Sequence, residues 1–339
     1  MILEQNGPVT TALAPMRNVT TRAFCDLFLH CGEPDLYVTE FLRAHATSTI
    51  ERNIEEILVN RRSTRPIFVQ LLGREPAELI RVAGLLSSYN IRGIDLNFGC
   101  PMAKIYRKDV GGALLKKPWV MDEILSEMEK NVRIPLSVKI RTGFGDDATF
   151  EQIIGILAQH NLAHVTVHAR TVCALYREKV NFERVKFAKS VLKCKVFANG
   201  DINSAQQACD VAKWTHCDGV MIGRAAIRNP FIFRQIRELQ ANLPCFVPKF
   251  RDIHAYILRL VDAVEKTGSN GKKQVNSLKK YFNFIGQCVD SHGEFLHRIR
   301  RSTSKSEMFA TIDSCIGRNA DEDFCGIPRG NIIARPNCE

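Results

Sequence analysis

The chain has no apolar run long enough to cross a bilayer, and its first twenty residues lack a basic stretch followed by an apolar one. These absences predict a cytoplasmic protein with neither membrane anchor nor secretory leader. Closely spaced cysteine pairs are missing too: twelve cysteines are scattered between Cys25 and Cys338 without one CxxC. That argues against a disulfide scaffold or zinc ribbon and predicts reduced thiols. His164 with His168, or His216 with Cys217, gives too few ligands for a metal, so none is expected. A GxGxxG turn after a first strand is also lacking, which argues against a dinucleotide fold.

What is present is a rhythm. Short apolar segments recur at Ala12–Pro15, Leu36–Thr39, Ile67–Leu71, Gly93–Asn97, Leu136–Ile140, His164–His168, Lys195–Ala198 and Gly219–Ile222, with room for a helix after each. Near-continuous apolar runs are expected of parallel strands buried on both faces. Pro76–Ser88 places Leu79, Val82, Ala83 and Leu86 on one helical face, and Val120–Asn131 does the same with Met121, Ile124, Leu125 and Met128. Eight such units favour a (β/α)8 TIM barrel over an open doubly wound sheet, and 339 residues leave space for an appendage. We divide the chain into a barrel over residues 1–242, a small helical domain over 249–312 after a proline-containing linker, and an irregular tail over 313–339.

The formal charge is +11, and it is unevenly spread. Residues 272–305 carry Lys272, Lys273, Lys279, Lys280, Arg298, Arg300, Arg301 and Lys305 against only Asp290 and Glu294. Such a segment attracts a phosphate backbone, although basic solvated surfaces are common. Tyr281 and Phe282 within it read as domain core at least as readily as base-stacking residues.

In an α/β barrel the reactive face lies at the C-terminal strand ends. Polar residues end the apolar runs at Gln70, Asp95 and Asn97, Lys139 and Arg141, His168 and Arg170, and Asn199. The segments FANGDIN (197–203) and MIGRAAIRNP (221–230) follow the last two strands, where glycines permit close backbone approach to a phosphate. Glycines alone do not distinguish FMN from a sugar phosphate. Cys100 stands in a loop between Gly99 and Pro101. A thiol with a reference pKa of about 8.5 stays largely protonated at neutral pH, as suits a proton donor, though the same placement suits a nucleophile.

Taken together, LAPMRNVTTRAF (13–24), PIFVQLLG (66–73), GIDLNFGCPMAK (93–104), VGGALLKKP (110–118), LSVKIRTGFGD (136–146), VTVHART (165–171), FANGDI (197–202), DGVMIGRAAIRNP (218–230) and SLKKYFNFI (277–285) resemble the tRNA-dihydrouridine synthase family, bacterial type. The resemblance covers about residues 10–310. It implies FMN across the barrel mouth, with Ala14, Pro15 and Met16 against the flavin, Gln70 and Lys139 on its polar edge and His168 close by. Asn199, Gly200, Asp201, Gly223 and Arg224 would secure the phosphate end. Asn97 and Arg141 would lie near the target base, and Cys100 would protonate it. NADPH is the implied reductant and tRNA the implied partner, with Lys279, Lys280, Arg298, Arg300 and Arg301 as backbone anchors and a monomer as the acting form. Ala169 stands where the family frequently has glycine, and Asn181 and Phe182 where an acidic residue and tryptophan are common. Other readings are reduction of ribosomal RNA, a flavoenzyme acting on a free pyrimidine, a Schiff-base lyase using Lys139, and a non-catalytic RNA-binding barrel.

Overall fold

The structure is a computed structural model that describes residues 7–266, 271–330 and 332. Its strands are β1 (Thr10–Leu13), β2 (Leu36–Val38), β3 (Leu42–Arg43), β4 (Ile67–Leu72), β5 (Gly93–Phe98), β6 (Leu136–Arg141), β7 (Leu162–His168), β8 (Lys195–Asn199) and β9 (Gly219–Ile222). All pair in parallel, and the ring closes because β1 pairs with both β2 and β9 while β2 also pairs with β4. The (β/α)8 barrel is therefore complete, with β3 as a two-residue extension against β4.

Strand ends differ from expectation for local reasons. The first strand lies two residues earlier than Ala12–Pro15: Ala14 N–H still donates to the Ile222 carbonyl at 2.9 Å, but Pro15 has no N–H to carry the ladder on. The seventh begins at Leu162 rather than His164, across a register irregularity at Leu136 and Ser137. The unexpected β3 is too short to leave a periodic signal.

Outer helices cover the strands as the periodicity predicts. Helix Pro76–Leu86 buries Leu79, Val82, Ala83 and Leu86, and helix Pro118–Asn131 buries Met121, Ile124, Leu125 and Met128. A proline opens each, where its missing N–H costs no hydrogen bond.

The barrel lumen is divided. Ala12, Ala14, Leu36, Val38, Phe68, Phe197 and Met221 form an apolar cluster, whereas β4 to β7 present Gln70, Asp95, Ser137, His164 and Thr166, all buried. The His164 ring lies 4.8 Å from both the Phe68 and Phe197 rings, as part of the plug. Gly93 and Gly219 make room for it, since a Cβ on either would strike those phenylalanines. Burial, helped by the charge of Lys195, pushes the His164 pKa down to about 4. Among the described residues no group of side chains has metal-ligand geometry, and no helix is long and apolar enough to cross a membrane.

Beyond the barrel stand helices Phe250–Glu265, Gly271–Ile285, Glu294–Arg301 and Lys305–Cys315. The last crosses the boundary drawn at residue 312. After it comes a single turn, Gly317–Asn319, and then little regular structure, yet the segment is docked. Phe250 N–H donates to the Glu322 carbonyl at 3.0 Å, Phe324 N–H donates to the Pro248 carbonyl at 2.7 Å, and the Phe324 side chain is buried against Phe250. The remainder of the expected tail, with Cys338, lies outside the described residues.

Candidate active site

Alternation along a strand aims every second side chain into the lumen, so Asp95 with Asn97, and Lys139 with Arg141, climb one wall. Register completes the convergence. Gln70 stands opposite Asp95, Asn97 opposite Lys139, Arg141 opposite His168, and His168 opposite Asn199. Where these strands end, a cavity of about 190 Å³ opens.

Its wall contains Ala14, Pro15, Met16, Gln70, Asn97, Cys100, Lys139, Arg141, His168, Asn199, Gly200, Asp201, Gly223 and Arg224. Every barrel residue given a role by resemblance thus reaches one space. The sequence reading missed Arg17, Glu40, Phe41, Tyr176, Asn203 and Phe284, which line it too. Glu40 lies two residues past the end of β2 and had a positional signal. Tyr176 and Phe284 had none.

Positive charge dominates the wall. Burial, then the neighbouring Arg141 charge, lowers the Lys139 pKa to about 8, against the opposing pull of Asp95 and Cys100. Burial, then Arg141, Lys139, Arg170 and Arg224, pushes His168 well below its ordinary value, so its imidazole is neutral at pH 7. Its buried Nδ1 meets no hydrogen-bond partner among the described residues. Asp201 bridges Arg170 and Arg224. Burial pushes its carboxyl pKa up, but the Arg170 hydrogen bond and the Arg224, Arg170 and Arg228 charges outweigh that and hold it below the ordinary range.

The loop after β7 is fastened from the same residues. Arg141 Nη1 donates to the carbonyls of Thr171 at 2.7 Å and Leu175 at 2.9 Å, and Arg170 donates to Glu178. Tyr176 is thereby held with the guanidinium carbons of Arg141 and Arg224 at 5.4 Å and 4.5 Å from its ring centroid. Gly200 has φ +117°, and a Cβ on Gly223 would sit 3.2 Å from Met16 Sδ, so both positions keep the backbone open to the cavity.

Cys100 is 8% exposed. Its N–H donates to Asn97 Oδ1 at 2.9 Å, as does Gly99 N–H at 3.2 Å, so the loop carrying the thiol folds over the end of its own strand.

The helical domain enters the site at one helix. Phe284 lines the cavity, and Tyr281 Oη donates to the Val19 carbonyl at 3.0 Å. Tyr281 and Phe282 are buried as core, the less specific of the two readings. The basic anchor candidates stand apart. Lys279, Lys280, Arg298, Arg300 and Arg301 are absent from the cavity wall. Lys279 Nζ donates to the Arg300 carbonyl at 3.0 Å and Arg300 Nη2 to Asn283 Oδ1 at 2.6 Å. Arg298 lies 3.7 Å from Glu294, and Arg301 3.5 Å from His297. Lys280 lies within the electrostatic reach of Glu40 and Arg17 in the barrel.

A closed parallel barrel with a cationic strand-end cavity and a cysteine in its wall defines an α/β-barrel protein with a ligand site in the usual place for that fold. Comparison narrows the class. The family described as dihydrouridine synthase matches residues 12–321, and the chain belongs to that family. The tRNA-dihydrouridine synthase B of Pasteurella multocida is 32% identical over 228 residues, 67% of this chain and 68% of that relative. That of Pseudomonas aeruginosa is 34% identical over 235 residues, covering 68% and 70%. A tRNA-dihydrouridine(16) synthase of Neisseria meningitidis is 27% identical over 304 residues, covering 87% and 91%. Among solved structures, the old yellow enzyme homologue from Zymomonas mobilis superposes with a TM-score of 0.50 at 12% identity, over 71% of this chain and 90% of that one, a likeness of fold alone.

Proposed function

We propose that this protein reduces a uridine within tRNA to 5,6-dihydrouridine, with FMN as bound cofactor, NADPH as reductant and Cys100 as proton donor. The observation that carries the reading is the placement of Cys100 in the wall of the cavity that also holds Lys139, Arg141 and His168.

The residues present fit a flavin nucleotide. A planar ring system with hydrogen-bonding edges suits Gln70, Lys139 and the unpartnered Nδ1 of buried His168, and the open backbone at Gly200 and Gly223 suits a phosphate. Ala14, Pro15 and Met16 give the ring an apolar rest. Arg224 offers the phosphate a charge, while Asp201 keeps that guanidinium in place; Asn199 Nδ2 already donates to the Met221 carbonyl at 2.8 Å and so braces the wall. A flavin bound there and reduced would supply a hydride, which the uracil ring would take at C6.

The chain's own part is to bind, orient and protonate. The C5–C6 double bond of uracil is conjugated with the C4 carbonyl, so hydride at C6 leaves negative charge spread over C5 and O4. Asn97 and Arg141 donate hydrogen bonds to that charge. The Cys100 thiol releases its proton to C5, becomes a thiolate, and is reprotonated from solvent before the next turnover. Stacked RNA cannot deliver a base to this depth, so the target must be flipped out, with Lys279, Lys280, Arg298, Arg300 and Arg301 engaging the backbone.

The test is anaerobic. The purified FMN-bound protein is reduced with NADPH and mixed with unmodified tRNA or with ribosomal RNA, and dihydrouridine is mapped by mass spectrometry. Formation in tRNA, with position 16 inspected first, supports the reading; formation in ribosomal RNA alone replaces the partner; formation in neither overturns the reading.

A further inference from the structure

Asp95 is fully buried and is not part of the cavity wall, yet a continuous hydrogen-bond chain runs from it to the reacting loop. Gln70 Nε2 donates to Asp95 Oδ2 at 2.7 Å, Asn97 Nδ2 donates to Gln70 Oε1 at 2.8 Å, and Asn97 Oδ1 accepts from Cys100 N–H at 2.9 Å. Ser137 Oγ donates to the other Asp95 oxygen at 2.7 Å.

The loop end of this chain has fixed polarity, while at the other end burial pushes the Asp95 pKa up against the hydrogen bonds of Gln70 and Ser137 and the charge of Lys139. The carboxylate at one end accepts from Gln70, and the backbone N–H groups of Gly99 and Cys100 at the other can only donate. Two carboxamides lie between, and each would be free to flip if its neighbours did not decide for it. Here they decide consistently: nitrogen of Gln70 toward Asp95, nitrogen of Asn97 toward Gln70, oxygen of Asn97 toward the loop. With Oδ1 of Asn97 taken by two N–H groups, its remaining hydrogen-bonding capacity toward the cavity is an N–H donor. That suits a ring carbonyl and not an exocyclic amino group.

We infer that Asp95 is a positioning residue that, through Gln70 and Asn97, sets the amide polarity of the site and holds the Cys100 loop in its closed conformation. This inference rests on the proposed role of Cys100, and it concerns a residue to which that proposal assigns nothing. Removing the carboxylate leaves Gln70 Nε2 without its acceptor and lets both amides turn. Asparagine at 95 preserves an oxygen for Gln70 and places its own NH2 toward Ser137 Oγ, which can accept.

The experiment uses the FMN-bound full chain with Asp95→Ala, Asp95→Asn, Cys100→Ala and the Asp95→Ala, Cys100→Ala double variant. The first readout is alkylation by iodoacetamide, followed peptide by peptide, with exposed Cys173 and buried Cys25 and Cys217 as internal controls. Asp95→Ala is expected to speed Cys100 alkylation at least about fivefold with the controls unchanged, and Asp95→Asn to stay within about twofold of the parent. The second readout separates the half-reactions. In Asp95→Ala, reoxidation by tRNA slows at least about tenfold more than flavin reduction by NADPH does, and that excess loss disappears in the Cys100→Ala background because coupled residues are non-additive. The inference is overturned if Cys100 alkylation is the same in Asp95→Ala and the parent. It is equally overturned if Asp95→Asn behaves like Asp95→Ala with all buried cysteines reacting faster, which is general loosening, or if the tRNA defects of Asp95→Ala and Cys100→Ala multiply. Should the parent protein fail to reduce tRNA at all, the proposed function falls, and the alkylation pair decides the fate of Asp95 by itself.

Discussion

The cations of the barrel and those of the helical domain are held in opposite ways. Arg141 and Arg170 are nearly inaccessible and are fastened by hydrogen bonds to loop carbonyls and, for Arg170, to Asp201, so their charges point in fixed directions. Arg298, Arg300 and Arg301 lie on one short helix with exposed or half-exposed side chains, and their partners are neighbours on the same small domain. A buried guanidinium acts by position, at a cost in desolvation that its hydrogen bonds offset. An exposed one acts by field, which salt screens and which tolerates substitution.

If this contrast is right, damage inside the cavity is severe and local, and damage to the outer patch is mild and salt-dependent. Cys100→Ala is expected to cut tRNA-driven reoxidation of reduced flavin at least about a hundredfold while flavin content and the NADPH step remain, as loss of a general acid predicts. Stopped-flow absorbance of both half-reactions checks it, and normal reoxidation would remove Cys100 from the chemistry.

Next in size is a pH effect from Lys139. Its folded pKa of about 8 lies below the value of 10.5 that the unfolded chain regains, so between these pH values the unfolded state binds more protons. Stability should therefore rise as pH increases from 8 toward 10.5, by no more than about 3 kcal/mol because the cavity admits water to the half-buried side chain. Urea midpoints of cofactor-free protein at both pH values, compared with Lys139→Met, isolate that rise; identical pH dependence in the two would mean the ammonium is not penalised.

Smaller again is the outer patch. Replacing Arg298, Arg300 and Arg301 by alanine is expected to weaken tRNA binding about tenfold at low salt, with a shallower salt slope and an unchanged rate at saturating tRNA. A change in the saturated rate would show these residues acting by position after all. The smallest effect is expected at the seam between the two regions. Tyr281→Phe removes the hydrogen bond to Val19 and should cost about 1 kcal/mol of stability, read as a lower melting temperature.

The same contrast explains what could be read from the sequence. The barrel announced itself because parallel strands buried on both faces leave apolar runs, and the residues ending those runs, from Gln70 to Asn199, had to converge once the ring closed. Strand limits at Pro15 and Leu162 shifted because ladder chemistry and a register irregularity, not hydrophobicity, set them. Arg17, Tyr176 and Phe284 escaped because loop and interdomain contacts follow no period. Phe284 in particular looks like any core residue of an amphipathic helix until the helix is seen against the cavity. Asp95 was visible as a strand-end polar residue, but only the hydrogen-bond chain shows that it faces Gln70 and not the ligand space.

The most direct test of the central claim is mass-resolved mapping of dihydrouridine in total RNA from cells with and without this gene, with tRNA and ribosomal RNA analysed separately. Loss of the modification at a defined tRNA position, restored by the parent gene and not by Cys100→Ala, is the predicted result; an unchanged dihydrouridine map in both pools, in cells with no second member of the family, would contradict it.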